Sequence, residues 1–258
     1  MDAIVTAGGI PKPDEPLYPY TQGGSKALLD VAGKPMVQWC LDALSGAKDI
    51  EHVVVMGLDE SSGLSCKKPI TYLPNQGDML ENILGGIQKV LEINPQAHHA
   101  LVVSSDIPGI TPDMVDWVIE VCMQTDDDVY YNVIERKVME KRYPDSRRTW
   151  TRLKDVEVCG GDMNVIRTMT VKEQRKTWER IIESRKSPAK QAALIGFDTL
   201  LLFLLHAISL EDAVQKVCKR LKLKGRVVRC PYAEVGMDVD KPHQLEMMRL
   251  DLAKRAAR

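Results

Sequence analysis

Three segments of the chain carry residue types that bind phosphate groups. The first is Thr-Ala-Gly-Gly at residues 6–9, followed downstream by Lys26. A glycine-rich turn lets backbone N–H groups approach a phosphate closely, and a lysine neutralises phosphate charge. The other two segments supply carboxylates, from Asp106 in VVSSDIPGIT and from Asp238 and Asp240 in EVGMDVDKP. Carboxylates from distant segments that converge on one point predict a Mg²⁺ site, since Mg²⁺ takes one or two carboxylates plus phosphate oxygens.

Each of these residues also has a purely structural interpretation. Gly8 and Gly9 could form a tight strand-to-loop turn, and Asp106 could cap the next turn. Asp238, Asp240 or both could cap the helix that follows. The glycine spacing fits neither the Walker A loop nor the dinucleotide-binding loop. The functional interpretation therefore depends on whether the segments converge in space.

Hydrophobic patterning predicts the elements that must bring these segments together. Buried strands are predicted over residues 3–7, 52–57, 100–105, 128–134 and 226–230. Amphipathic helices are predicted to begin near Pro35, Asp78, Thr111, Ser209 and Pro242. Apolar strands that alternate with amphipathic helices indicate an α/β fold with a parallel sheet covered on both faces. In such a sheet, ligands bind at the carboxyl ends of the strands, which is where Asp106 is expected.

Composition restricts the class of protein. The 258 residues are 44% hydrophobic and carry a net charge of -1, which suits one α/β domain and argues against general nucleic-acid binding. The six cysteines are widely scattered and form no CxxC pair, so free thiols in a reducing compartment are expected. Because the first residues turn polar at once and no apolar run reaches the length of a bilayer, we expect a cytoplasmic chain without a transmembrane segment.

A basic segment interrupts the alternating pattern. Residues 132–190 hold 16 Lys/Arg and 9 Asp/Glu, a net charge of +7, so the rest of the chain carries -8. This segment is either a surface for an anionic partner or an ordinary solvated helical face. Beyond it, the apolar stretch from Leu200 to Leu205 favours a buried helix. Docking against a membrane, or contact with an acceptor that has an apolar part, are the less favoured alternatives.

Together, the AGG turn, Lys26 before Ala-Leu-Leu, Asp106 and the Asp-Lys-Pro of Asp240 resemble the MobA-like nucleotidyltransferases, within the wider GT-A group. The resemblance covers residues 1–134 and 226–258. It implies a Rossmann-like, mostly parallel sheet flanked by helices on both faces. It also implies one nucleotidyltransferase domain over residues 1–258, with an embedded, partly helical insertion at 132–225 that binds the acceptor or forms a lid.

The resemblance also assigns roles to residues of this chain. It implies catalytic and metal-binding roles for Asp106 and Asp240, with Lys26 on the phosphates. The nucleotide would contact residues of the glycine loop, of the PNQGDMLEN segment and beside Asp106. These are Ala7, Gly8, Gly9, Lys12, Lys26, Gln76, Gly77, Asp78, Asn82 and Ser105. Members of the family usually carry an arginine after the Gly-Gly turn, whereas here 16 residues without arginine separate Gly9 from Lys26, and Lys12 is the candidate to replace its charge.

The acceptor is expected to bind in the basic insertion, although an ordinary charged surface explains the same residues. The candidates are those that could bind a phosphorylated molecule: Arg142, Arg147, Arg148, Thr149, Gly161, Arg185 and Lys186.

The implied reaction is Mg²⁺-dependent transfer of a nucleoside monophosphate from CTP or GTP to a phosphorylated small molecule, with release of pyrophosphate. Two alternatives stay open. One is a GT-A-type glycosyltransferase that uses a nucleotide sugar, and the other is a non-catalytic nucleotide-binding regulator. The sequence does not determine the oligomeric state, and a homodimer is one option.

Overall fold

The computed structural model describes residues 1–184 and 205–256, together with residues 187, 194, 196, 199, 201 and 202. Within these residues, nine strands form one mixed sheet in the order β5-β4-β1-β6-β10-β7-β9-β8, with β11 also paired to β7. The nine are β1 (Asp2–Thr6), β4 (Val53–Met56), β5 (Ile70–Leu73), β6 (His99–Ser104), β7 (Val129–Glu135), β8 (Thr151–Arg152), β9 (Glu157–Gly160), β10 (Met163–Arg167) and β11 (Gly225–Arg229). A separate small hairpin pairs β2 (Asp30–Val31) with β3 (Lys34–Pro35).

Helices flank the sheet on both faces. They are α1 (Tyr18–Thr21), α2 (Met36–Gly46), α3 (Met79–Ile93), α4 (Pro112–Cys122), α5 (Arg136–Arg142), α6 (Thr168–Glu173), α7 (Arg175–Ser184), α8 (Leu210–Leu221) and α9 (Pro242–Ala256). Short 3₁₀ turns lie at Lys26–Leu28, Glu60–Ser62 and Ala233–Gly236. The predicted fold class is confirmed, as are the predicted strands and helix starts. No helix of the described residues has the length and apolar character needed to cross a membrane.

Side-chain alternation along the strands divides the core into two layers. Ala3 and Val5 of β1 point to the face covered by α2, α4 and α9, and Ile4 between them belongs to the core cluster with α3, α6 and α7. Successive side chains of a strand point to opposite faces, so both faces of β1 are buried. This explains why the central strands are continuous apolar runs rather than alternating ones.

Four parallel strands set up the functional edge. β1 pairs in parallel with β4 and with β6, and β4 pairs in parallel with β5. The carboxyl ends of β1 at Thr6, β4 at Met56 and β6 at Ser104 therefore lie along one edge of the sheet, here called the catalytic edge. Loops that leave these strands meet there.

The basic segment contributes strands to this sheet. β10 runs antiparallel between β6 and β7, although its residues lie beyond both of them in the sequence. Residues 163–167 therefore sit in the middle of the sheet, and β8 and β9 extend it from β7. The division into one domain and an insertion over 132–225 stays a prediction, because part of that range is built into the main sheet.

Candidate active site

The catalytic edge brings the Asp106 and Asp240 segments together. Asp106 follows β6 by two residues, and Asp240 lies just before α9. The Val239 N–H donates to the Asp106 carbonyl oxygen at 2.9 Å, which fixes the two loops side by side. Residues separated by more than a hundred positions in the sequence thus lie side by side, as the family resemblance implied.

Lys26 bridges the two carboxylates. Its Nζ lies 2.7 Å from Asp106 Oδ2 and also donates to Asp240 Oδ1. The side chains of Lys26 and Asp106 are largely buried, at 16% and 17% exposed, whereas that of Asp240 is 56% exposed. The ammonium therefore enters the site from its buried side, and Asp240 borders solvent.

The electrostatics of the bridge keep Lys26 charged. Burial alone lowers the pKa of an ammonium, but the charges of Asp106 and Asp240 and their hydrogen bonds outweigh it and raise the pKa of Lys26. Lys26 is consequently protonated throughout the physiological range. A buried positive charge next to the glycine turn is what a triphosphate requires.

Close backbone packing shapes the Gly8–Gly9 turn. A Cβ atom on Gly57 would lie 2.3 Å from the Gly8 Cα, and Gly57 has a φ of +94°. A Cβ atom on Gly8 would in turn meet the Asn75 side chain at 2.8 Å, and Asn75 Nδ2 donates to the Gly8 carbonyl oxygen. The turn is therefore pressed between the end of β4 and the loop after β5, and side chains at 8 and 57 have no room.

Residues 10–25 form a long loop that returns the chain to the glycine turn. The Lys26 N–H donates to the Gly9 carbonyl oxygen at 2.9 Å, and Ser25 Oγ donates to the Ala7 carbonyl oxygen at 3.2 Å. The 16 residues between Gly9 and Lys26 therefore close into a loop whose two ends are hydrogen-bonded to each other. This closure places Lys26 beside the turn despite the length of the intervening segment.

Lys12 and Ser105 differ in burial. Lys12 is exposed in the loop of residues 10–25, where its backbone N–H donates to a Glu15 carboxylate oxygen at 3.1 Å. Ser105 is buried, and its N–H donates to the Thr6 carbonyl oxygen at 3.2 Å. Ser105 thus ties the loop of Asp106 to the end of β1.

The segment from Asn75 to Asn82 forms a hydrogen-bonded loop next to the glycine turn. Asn82 is buried; its Oδ1 accepts from the Gln76 N–H at 2.9 Å and its Nδ2 donates to Asn75 Oδ1 at 3.0 Å. Gly77 has a φ of +110°, and Asp78 caps α3 by accepting from the Glu81 N–H. Gln76 and Gly77 are exposed at the turn, while Asn82 holds it from behind.

The two aspartates fit a hard cation. Asp106 Oδ1 is buried and has no hydrogen-bond partner among the described residues, while its Oδ2 holds Lys26. An orphaned buried carboxylate oxygen is costly unless a cation or water satisfies it. Among the described residues no three His, Cys, Asp or Glu side chains cluster as a complete metal cage, so substrate oxygens and water would have to complete the ligand set of Mg²⁺.

The candidate acceptor residues have different surroundings. Arg142 is held by Glu234 at 2.8 Å and Asp251 at 2.6 Å, which ties α5 to the 3₁₀ turn before Asp238 and to α9. Arg148 forms a largely buried ion pair with Asp238. Arg147 and Thr149 are exposed, and Arg147 adopts a positive φ of 50°. Gly161 is buried, and Arg185 and Lys186 lie outside the described residues.

Sequence reasoning missed three residues of the site. Gly57 and Asn75 hold the glycine turn, as described above. Asp162 lies where β9 turns into β10, and its carbonyl oxygen accepts from the Ser104 N–H at 2.8 Å, which places it on the catalytic edge. Gly57 ends an apolar strand and could have been noticed as a glycine at a strand end, whereas the position of Asp162 follows only from the antiparallel entry of β10.

An α/β sheet whose strand ends present a glycine turn, a buried lysine and two converging aspartates defines a nucleotide-using transferase fold. A model of the MobA-like NTP transferase domain matches residues 4–179, well over half of the chain. The chain therefore belongs to the MobA-like NTP transferase family, and the resemblance inferred from the sequence is confirmed.

Individual relatives agree with this assignment. A hypothetical transferase from Thermus thermophilus is 31% identical, with a TM-score of 0.81 over 95% of this chain and 98% of that one. A probable molybdenum cofactor guanylyltransferase from Thermococcus gammatolerans is 27% identical over 97 residues, and the match spans 38% of this chain and about half (48%) of that relative's length. A CMP:2-keto-3-deoxy-manno-octonic acid synthetase complexed with CTP has a TM-score of 0.60 at 16% identity, covering 98% of this chain and 99% of that one, which shows a shared fold.

Proposed function

We propose that the protein transfers a nucleoside monophosphate from CTP or GTP to a phosphorylated small molecule and releases pyrophosphate. The observation that carries this proposal is the Lys26 bridge between Asp106 and Asp240 beside the Gly8–Gly9 turn. It concentrates one buried cation and two carboxylates at the edge where α/β sheets bind ligands. Family membership supports the same class of reaction.

The chemistry needs positioning more than proton transfer. An oxygen of the acceptor phosphate attacks the α-phosphorus in line, and the bond from the α-phosphorus to the bridging oxygen breaks with its electron pair leaving on pyrophosphate. A phosphate monoester is already largely ionised at pH 7, so no general base is required. The protein's contribution is to orient the two reactants and to neutralise charge.

The chain's own residues account for these tasks. Backbone N–H groups of Gly8 and Gly9 would line the phosphates, and Lys26 would move from its carboxylate partners to the β- and γ-phosphates. Asp106 and Asp240 would hold Mg²⁺, which when bound would neutralise charge on the α-phosphate and the acceptor. Gln76 and Gly77, with Asp78, would face the base.

The relatives differ in the base of the nucleotide that their names give. The curated relative is named a guanylyltransferase, whereas the structural neighbour above was solved with CTP. The Asn75–Asn82 loop offers a carboxylate at Asp78, which could accept from cytosine N4–H₂ or from the N1–H and N2–H₂ edge of guanine. Both nucleotides therefore belong in the test.

A thermal-shift panel with CTP, GTP, ATP and UTP, each with and without Mg²⁺, tests the proposal. A ligand at about 100 times its Kd adds ~2.7 kcal/mol, which is roughly 5 to 10 °C for a chain of this size. We expect one nucleotide to give a Mg²⁺-dependent shift that Asp106→Asn abolishes. Asp113→Asn is the matched control, because it makes the same change on an exposed carboxylate of α4.

Turnover completes the test. With that nucleotide and a set of phosphomonoesters, we expect pyrophosphate release that falls at least a hundredfold in Asp106→Asn and in Lys26→Ala, equivalent to ~2.7 kcal/mol or more of transition-state stabilisation. Activity of both variants within about fivefold of wild type would overturn the assignment. Release of a nucleoside diphosphate from a nucleotide sugar would indicate a glycosyltransferase instead, and nucleotide binding without turnover would indicate a regulator.

A further inference from the structure

A large apolar cavity lies on the sheet face that α7 and α8 cover. Its volume is about 600 Å³, within the range of small-molecule sites and far above the voids of packed cores. Strand residues such as Val102 and Ile166 form its floor, and Trp178 of α7 with Val214 and Val217 of α8 form its wall. Among its described lining residues, only Asp162 and Arg226 are charged.

The cavity reaches the catalytic edge. Its lining includes Thr6, which immediately precedes the Ala7–Gly9 turn, and Ser104, two residues before Asp106. Met79 and Tyr131 also line it and are 45% and 48% exposed, so they mark its opening to solvent. Met79 directly follows the loop that contains Gln76, Gly77 and Asp78. A molecule in the cavity can therefore present one end to the candidate nucleotide site.

One of the residues that line the cavity carries a buried, unpaired N–H group. Trp178 is 6% exposed, and its Nε1 has no hydrogen-bond partner among the described residues. A buried indole N–H usually finds an acceptor, and leaving it unpaired costs free energy. The occupant is thus expected to be mainly apolar but to carry an oxygen within its buried part.

The described side chains of the apolar stretch do not supply that occupant. Leu201 and Leu205 are exposed, at 55% and 64%, and Leu202 packs with the cluster around Val133 and Ile208. The other members of the stretch lie outside the described residues. The burial expected for this stretch is therefore not seen at Leu201 and Leu205, whereas Leu202 is partly buried.

We infer that the phosphorylated acceptor carries an apolar chain that binds in this cavity, with its phosphate at the catalytic edge. The class is a phosphomonoester of a chain-bearing alcohol in which an ester or ether oxygen follows the head group, as in a 1-acylglycerol 3-phosphate. The inference rests on the proposed function, because transfer to a phosphate is what places the head group at Asp106. The covalent step is unchanged: the acceptor phosphate oxygen bonds to the α-phosphorus as pyrophosphate leaves.

Binding to the cavity can be measured without any turnover. The probe is lauroylglycerol 3-phosphate below its micelle concentration, which displaces a fluorescent apolar dye such as anilinonaphthalene sulfonate, and glycerol 3-phosphate is the chain-free control. We expect displacement by the first compound only. Failure of the lauroyl compound to displace the dye would overturn the inference, whatever the turnover assay gives.

Matched variants at position 214 test whether the acyl chain of the acceptor binds in the cavity. Val214→Phe fills the cavity and should weaken binding of the lauroyl compound at least tenfold, whereas Val214→Ala enlarges it and should leave binding within about twofold. Thermal shifts with the nucleotide should be unchanged in both variants. Val217→Phe serves if Val214→Phe does not fold. Equal binding by the Phe and Ala variants at position 214 would contradict the cavity site.

Two further experiments test the role of the Trp178 N–H and the link between cavity binding and catalysis. Trp178→Phe keeps an aromatic ring, although a smaller one, and removes the N–H. It should weaken binding of the lauroyl ester several-fold and leave binding of dodecyl phosphate unchanged. Pyrophosphate release with the lauroyl compound and the chosen nucleotide tests the coupling to catalysis. Dye displacement without pyrophosphate release from any acceptor would refute the proposed function and its coupling to the cavity. Turnover with glycerol 3-phosphate but no lauroyl binding would refute only the cavity inference.

Discussion

At the residue scale, Lys26 acts as a resident cation between two carboxylates. It satisfies Asp106 Oδ2 and Asp240 Oδ1, which would otherwise repel each other at a partly buried site. Its raised pKa follows from these two charges, which outweigh the penalty of burial. The same carboxylates that would bind Mg²⁺ are thus neutralised by the protein when no nucleotide is present.

Removing this lysine should change metal binding in the absence of nucleotide. In Lys26→Ala the two carboxylates lose their ammonium partner, so we expect Mn²⁺ to bind severalfold more tightly than to wild type. Electron paramagnetic resonance of free Mn²⁺ measures this without any turnover. The double variant Lys26→Ala with Asp106→Asn should lose the gain, and an unchanged Mn²⁺ affinity in Lys26→Ala would contradict the bridging role.

Asp2 gives a pH-dependent prediction far from the site. Burial raises its pKa, opposed by the N-terminal charge, and its Oδ2 has no hydrogen-bond partner in the described chain. A carboxyl with a raised native pKa binds a proton more readily when folded, so its ionised form destabilises the protein above the unfolded pKa. Asp2→Asn should therefore raise Tm at pH 7, and the gain should shrink as the pH falls towards about 4.

The control for Asp2 is Asp49→Asn, which makes the same substitution at an exposed position nearby in the fold. Its Tm should follow wild type across the whole pH range. A gain for Asp2→Asn that is constant with pH would show that the effect comes from packing rather than from ionisation.

At the element scale, the contact between the end of β4 and the glycine turn makes Gly57 a structural requirement. Gly57→Ala combines a left-handed backbone with a Cβ atom 2.3 Å from Gly8 Cα, so we expect a loss of about 2–5 kcal/mol and weaker nucleotide binding. Gly63→Ala is the matched control, because Gly63 has a φ of +64° but open space around its Cβ position. Urea unfolding should show a loss of only about 1–2 kcal/mol there, with nucleotide binding unchanged.

Arg142 connects α5 to the 3₁₀ turn at Ala233–Gly236 and to α9, so its removal should mainly lower the free energy of unfolding. The guanidinium pairs with Glu234, which is largely buried, and with Asp251 of α9, and it lies over the Tyr143 ring. Arg142→Ala should therefore cost about 1–3 kcal/mol in urea unfolding. Arg147→Ala, at an exposed position, should change stability by less than about 0.5 kcal/mol. A higher acceptor KM in Arg142→Ala with unchanged stability would instead favour direct acceptor binding.

Local signals explain which elements could be predicted. The helices that begin at Met79 and Leu210 follow capping side chains at Asp78 and Ser209, and both caps accept the expected backbone N–H. The position of Asp106 followed from the rule for strand ends, whereas its proximity to Asp240 was implied only by the family resemblance. The insertion of β10 between β6 and β7 could not be predicted, because the short MNVIR segment pairs with strands more than thirty residues away.

The same limit applies within the site. The Gly8–Gly57 contact and the Lys26 bridge depend on how loops from different strands meet, which no local pattern encodes. The identity of the charged residues was visible in the sequence, but not that Asp238 pairs with Arg148 while Asp240 pairs with Lys26.

At the scale of the whole molecule, four arginines of the basic segment pair with the acidic remainder of the chain. Arg142, Arg148, Arg167 and Arg175 each pair with a carboxylate outside residues 132–190. These pairs attach the segment to the rest of the fold and offset part of its net charge of +7. We expect the protein to leave a heparin column below about 0.2 M salt, because few basic groups are available to displace counterions. Retention to much higher salt would reveal an anion-binding face.

The loop of residues 10–25 begins and ends at neighbouring positions, because the Lys26 N–H donates to the Gly9 carbonyl oxygen. Its length is therefore decoupled from the position of the lysine, and the entropic cost of lengthening such a loop grows only slowly. Related chains could carry longer or shorter versions without disturbing the reaction centre. The loop is accordingly a tolerant place for inserting a reporter tag, or for evolution to attach a new recognition segment next to an unchanged core.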